Sequence, residues 1–227
     1  MSETIPGQKN VDNGDSSFSF LDIPVNNDNF SEYRDDSGRV STAIKELEDA
    51  GVYVDECIAN AWRDKLLLDT LEAKGVNIAE AIAFTGEFNR LAPHAFQEVV
   101  ELPTGHGSHR DGRPRRAESG DRLDFERLRN YGVDPTKVLI FRVTQPSDEP
   151  VPELYWTTDF MEVRGGLSVE LGKQRKTAVI LIDTLDSVAR NGGLMRDVND
   201  DSGVAVRQIG LEGYDQSDAI GVISGVH

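Results

Sequence analysis

The chain of 227 residues holds a single cysteine, Cys57. No intramolecular disulfide can form, and no zinc site built on several thiolates is available. Cys57 stands beside Ile58 and Ala59 in a helical pattern, which predicts a small buried hydrophobe rather than a nucleophile. Long apolar runs are also missing. None approaches the roughly 18 residues that a bilayer-spanning helix needs. The first residues lack a basic stretch followed by an apolar core, so no secretory signal is read there and a cytoplasmic setting is expected. Positive charge is scarce: 24 Lys and Arg stand against 40 Asp and Glu, a formal net charge of −16. That balance argues against general nucleic-acid binding, which needs cations along the contact face.

What is present divides the chain into four parts. Residues 1–38 read as a flexible acidic leader rich in Asn, Asp, Ser and Gly. Within it Phe18-Ser-Phe-Leu-Asp-Ile-Pro24 alternates enough to serve as an add-on strand or a docking peptide. Residues 39–102 form a helical block. One helix opens at Ser41 or Thr42, and a longer one is expected from Val54 to Lys74 with Gly75 as its C-cap. Asn77 caps a third to about Phe88, and Pro93 opens a short helix through Val99. Residues 103–122 are a Gly- and Arg-rich loop or linker carrying His106, His109 and five arginines. From residue 123 the periodicity changes after one more helix, Asp124–Tyr131. Strands are expected at Lys137–Thr144, Leu154–Thr157, Thr177–Asp183, Val204–Ile209 and Ala219–Val222, with short helices near Phe160–Leu171 and Thr184–Asn191. A helical first half and a β-rich, mainly antiparallel second half define an α+β fold.

The residues most suggestive of chemistry are Arg142, at the end of an apolar strand pattern, and Tyr155-Trp156-Thr157-Thr158 on the next strand. An arginine fork holds phosphate oxygens well. Threonine hydroxyls can orient a ribose, and an aromatic ring can stack on a base.

In this arrangement residues 137–223 resemble the ADP-ribosyltransferase superfamily, in the clade with a strand arginine, an aromatic-Ser/Thr-Thr-Ser strand and a late glutamate. The resemblance implies NAD as cofactor, with Arg142 on its phosphates, Thr157 and Thr158 at the ribose, and Tyr155 or Trp156 stacking. The acid falls to Asp218, just before a strand, or to Glu212. Gly165-Gly166 is expected to interrupt the helix that follows the second element.

Two further constellations are weaker. His106 and His109 lack a nearby third ligand, and the loop reads as solvated. Asp197-Val-Asn-Asp-Asp201 echoes a calcium loop but puts Ser202 and Gln208 where an EF-hand has glycine and glutamate, so a turn is expected and no metal. The competing class is a non-enzymatic acidic protein, an inhibitor or a phage or assembly accessory factor, that binds a basic protein partner.

Overall fold

The computed structural model describes residues 35–101, 118–147, 150, 155–172, 177–190, 192–196, 203–209 and 214–226. The Phe18–Pro24 piece, the His106–Arg116 loop, the Asp197–Asp201 run and Glu212 all lie outside them.

The first half is helical. Helix α1 spans Ser37–Asp49, and its N-cap is Asp36, whose carboxylate accepts the Arg39 N–H. The cap was expected at Ser41 or Thr42; Asp36 takes that role at least five residues earlier, satisfying one of the orphan donors of the first turn. The expected long helix from Val54 is two: α2 (Glu56–Ala61) and α3 (Lys65–Ala73). The first closes on its C-cap Trp62, and Asp64 caps the second, accepting the N–H groups of Leu66 at 2.8 Å and Leu67 at 3.2 Å. Its other oxygen pairs with Arg164, and both side chains are buried. Gly75, with φ +71°, ends α3 as the sequence suggested.

Helix α4 is a single rod, Ile78–Ala95, with Pro93 inside it rather than opening a new helix. Proline lacks the N–H that would have bonded the Asn89 carbonyl, and the helix ends two residues later at Ala95. Phe96 then starts strand β1 (Phe96–Glu101), where a short helix through Val99 was expected, and β1 pairs with β2 (Glu118–Leu123), most of which falls in the stretch read as a loop or linker. Helix α5 (Phe125–Asn130) carries Asp124 as its cap. There follow β3 (Leu139–Thr144), β4 (Tyr155–Thr157), α6 (Phe160–Gly172), β5 (Thr177–Thr184), α7 (Leu185–Ala189), β6 (Gly193–Arg196), β7 (Ala205–Ile209) and β8 (Gly221–Val226). Gly165 and Gly166 do not break α6. A Cβ on Gly166 would lie 3.8 Å from Val143, so the residue sits where the helix crosses close to β3.

The strands form one eight-stranded sheet in the order β1-β2-β6-β7-β4-β3-β5-β8, and every pairing is antiparallel. The α+β architecture read from the sequence is what the structure has.

The central strands are buried on both faces, which explains their unbroken apolar runs. Leu139, Phe141, Ile180 and Ile182 pack against α1 to α3 and α6. Phe141 is held edge-on by Trp62 at 5.6 Å and Phe160 at 5.2 Å. On the other face Ile140, Trp156, Leu181 and Val206 meet the second half of α4, together with α5 and α7. The helical segment and the sheet thus share their cores. Helix α4 contributes to both clusters, Ile82 to one and Phe88 to the other.

Candidate functional site

Strand alternation decides which of the conspicuous residues can meet. Phe141 is bridged to Thr157, so Thr157 shares the Phe141 face and Arg142 points to the opposite one. Thr157 is buried, and its hydroxyl accepts the Asp159 N–H at 3.1 Å. Asp159 in turn accepts the N–H groups of Met161 and Glu162, which caps α6. Thr158 is fully buried. It donates to Asn89 Oδ1 at 2.8 Å and accepts from the Val204 N–H at 2.9 Å, tying α4 to the start of β7. A Cβ on Gly203 would come within 2.8 Å of that hydroxyl, so only glycine leaves the latch undisturbed.

Trp156 presents no face to solvent. It is 1 % exposed and lies edge-on to Tyr214, with ring centroids 5.0 Å apart. Tyr155 is 46 % exposed. Arg142 donates from Nη1 to the Tyr155 carbonyl at 3.0 Å, and its guanidinium carbon lies 5.9 Å from the Tyr155 ring centre. Among the described residues no carboxylate pairs with Arg142, and its buried Nε has no hydrogen-bond partner. Burial holds this guanidinium below the usual arginine range, and the Tyr155 charge opposes that only in part. Asp218 lies exposed on the short turn Gln216–Asp218, beside Tyr214 rather than on Arg142. The structure therefore joins Arg142 to Tyr155, builds Thr157 and Thr158 into the frame, and keeps Trp156 in the core.

Two features escaped the sequence pattern. The first is a buried acid. Asp183, fully buried at the end of β5, accepts the Tyr214 hydroxyl at 2.5 Å and the Thr184 N–H at 2.7 Å. Desolvation pushes its carboxyl above the ordinary aspartate range despite these bonds, and desolvation likewise pushes the Tyr214 phenol far up. Its strand is otherwise apolar, which was the only available hint.

The second is a groove of about 580 Å³ between α1 and α4. Leu47, Ala83 and Phe84 form its apolar floor, and Glu46, Glu80 and Glu87 stand around it. Val52 and Tyr53, which follow the left-handed turn at Gly51, are 42 % and 51 % exposed at its lip. Lys137 pairs with Glu80 and lies 5.2 Å from the centre of the Phe84 ring. Arg90 pairs with Glu87 and lies 5.8 Å from the centre of the Tyr53 ring. The sequence clue was the i, i+3, i+4, i+7 run of Glu80, Ala83, Phe84 and Glu87, which places apolar and acidic residues side by side on one stripe of α4. Cys57, expected inside, is exposed: it occupies the first turn of the short α2, while Ile58 and Ala59 take the buried face.

No group of three or more His, Cys, Asp or Glu side chains suited to a metal occurs among the described residues. No helix among them is long and apolar enough to cross a membrane. Comparison with protein-family models, with curated proteins and with solved structures finds no match. The function must therefore be argued from the chain's own residues.

Proposed function

We propose that this protein is a non-enzymatic interaction module that takes a basic, apolar-faced helical segment of a partner protein into the groove between α1 and α4. The observation that carries the reading is the groove itself, an apolar floor with exposed Val52 and Tyr53 at its lip and three carboxylates around it. Amphipathic helices dock in such grooves through apolar anchors at helical spacing. The cations already on Glu80 and Glu87 are surface partners of small net worth, so a partner's lysines can replace them. The net charge of −16 speeds the encounter with a basic segment.

The probe is a fluorescent amphipathic peptide of alternating lysine and leucine faces, followed by anisotropy. Binding should weaken on filling the groove with Ala83→Trp and on reversing charge with Glu46→Lys. A peptide bound as tightly by Ala83→Trp as by the natural chain would place the contact elsewhere and end this reading.

Arg142 supports a second reading, NAD binding in the manner of an ADP-ribosyltransferase. A partly buried guanidinium with no carboxylate partner among the described residues, next to an exposed tyrosine, is suited to a pyrophosphate beside a stacked ring. In that reading Asp218 or Glu212 supplies the acid, and Trp156, Thr157 and Thr158 hold the strand in place. Calorimetric titration with NAD decides it. Heat that disappears in Arg142→Ala supports the site, and no heat from the natural chain removes it.

A further inference from the structure

The eight-stranded sheet is open, with β1 at one end and β8 at the other. An outer strand carries a row of backbone N–H and C=O groups directed away from the sheet. Folded proteins shield that row with charge, proline, a bulge or a cover. Strand β1 has charge, from Glu98 and Glu101. Strand β8 has no shield of its own. Its sequence Gly-Val-Ile-Ser-Gly-Val holds no charged residue and no proline, and its register with β5 runs unbroken from Gly221 to Val226, without a bulge. Among the described residues no backbone hydrogen bond outside the β5 ladder reaches it. A cover is the remaining device.

Both sides of β8 are apolar. Ile223 is buried in the cluster that α3 and α6 share, and Val222, opposite Leu181, is half-buried against the other cluster. A strand laid beside β8 therefore meets apolar surface on both faces of the sheet. The segment Phe18-Ser-Phe-Leu-Asp-Ile23 can serve both: in a strand, Phe18 and Phe20 fall on one side, Leu21 and Ile23 on the other. Pro24 then closes it, since proline interrupts a ladder.

The leader joins the fold close to this edge. Asp35 forms an isolated antiparallel bridge with Asp64, and the Asp36 N–H donates to the Arg63 carbonyl at 2.8 Å. Asp64 caps α3, and α3 packs on β8: a Cβ on Gly221 would lie 3.0 Å from Cγ2 of Thr70. Thr70 is about 9 Å along the helix from Asp64. Residues 24–34 reach up to about 36 Å when extended, so the segment can lie along β8. A tether of that length holds it near the edge at an effective concentration on the order of millimolar. A second copy of the chain has no such advantage, and it brings a net charge of −16 against another of −16.

We infer that Phe18–Ile23 adds to the free edge of β8 as a further strand of this chain's own sheet. The contact uses neither the α1–α4 groove nor Arg142, so it stands whether or not either earlier reading does.

The test is hydrogen exchange of the full chain read by mass spectrometry. Residues 18–23 and the N–H groups of β8 that face away from β5 should both exchange slowly. Successive N–H groups of a strand point to opposite edges, so replacing two neighbours together, Phe20→Pro with Leu21→Pro, removes a ladder donor in any register. Exchange in both segments should then rise about tenfold or more, while β5 stays slow and reports an intact fold. Asn10→Pro with Val11→Pro, outside the segment, should leave both as they are. Fast exchange of residues 18–23 in the natural chain overturns the inference. So does a control pair that releases β8 as much as the test pair. Slow exchange of β8 that survives Phe20→Pro with Leu21→Pro overturns it too; if that protection grows with chain concentration beside a dimer mass on size exclusion, a second copy holds the edge instead.

Discussion

Tyr214 and Asp183 show what one buried polar pair contributes. The tyrosine hydroxyl is one of few groups that reach this carboxylate, and the same ring closes over Trp156. Tyr214→Phe keeps the ring and removes the donor. It should destabilise the fold by about 1–3 kcal/mol, the usual range when a buried acceptor loses its partner, as read from urea denaturation. A value near zero would mean that another donor takes its place. The same pair gives a pH dependence with a definite sign. The folded-state pKa of Asp183 is raised by burial, so the folded chain holds this proton more tightly than the unfolded chain does. The group's stabilising effect is complete at acid pH and is lost as pH rises from the ordinary aspartate range through the raised value. Asp36 acts in the opposite sense. Its hydrogen bond from Arg39 lowers its pKa, and its contribution disappears on acidification. Asp183→Asn removes the first effect alone. The stability of this variant relative to the natural chain should therefore climb between mildly acid and neutral pH, and a difference that does not change with pH would show that Asp183 does not titrate in this way.

At the scale of elements, period and caps were legible in the sequence where the relevant forces are local. The strands β3, β5 and β7 announced themselves through β-branched runs, and α5 and α7 through Asp124 and Thr184 as caps. The break between α2 and α3 was hidden because an unbroken apolar spacing runs through it, and what holds Asp64 at the start of α3 is a distant partner. Asp64 finds Arg164, 100 positions away, and no local propensity encodes that pairing. Strands β1 and β6 were hidden for a similar reason. Gln97, Glu98 and Gly193 are weak strand formers that hold their place through cross-strand pairing. Gly165-Gly166 misled in the other direction, since intrinsic propensity counts against a helix that packing on β3 and β5 sustains. A consequence can be measured. A Cβ on Gly165 would meet nothing within 4 Å, and the residue is exposed in a helix interior. Gly165→Ala should therefore stabilise the protein by about 0.5–1 kcal/mol, seen as a higher melting temperature. A loss of stability would mean that α6 needs a flexible centre.

For the molecule as a whole, the candidate site was only half legible. Of Tyr155 and Trp156, the two aromatics the sequence offered beside Arg142, the structure sets Tyr155 against the guanidinium, but the faces of β4 could not be assigned until its pairing with β3 was known. That single bridge separates Thr157 from Arg142. The groove depends on α1 and α4 lying together, a tertiary fact that neither helix carries alone. Its energetics divide in two. The floor of Leu47, Ala83 and Phe84 contributes through burial, which salt leaves in place or strengthens. The carboxylates and the net charge act through a field that ions screen over about 8 Å at physiological salt. Capture of the amphipathic lysine and leucine peptide should therefore slow steeply in its association rate as salt rises, while its dissociation rate changes little. Stopped-flow anisotropy across an ionic-strength series reads the two rates separately. Replacing Val52 and Tyr53 by serine should do the reverse, speeding dissociation and leaving the salt slope of association intact. If salt acts on dissociation and the double replacement on association, the groove is not the seat of the apolar contact and the partner is held by charge alone.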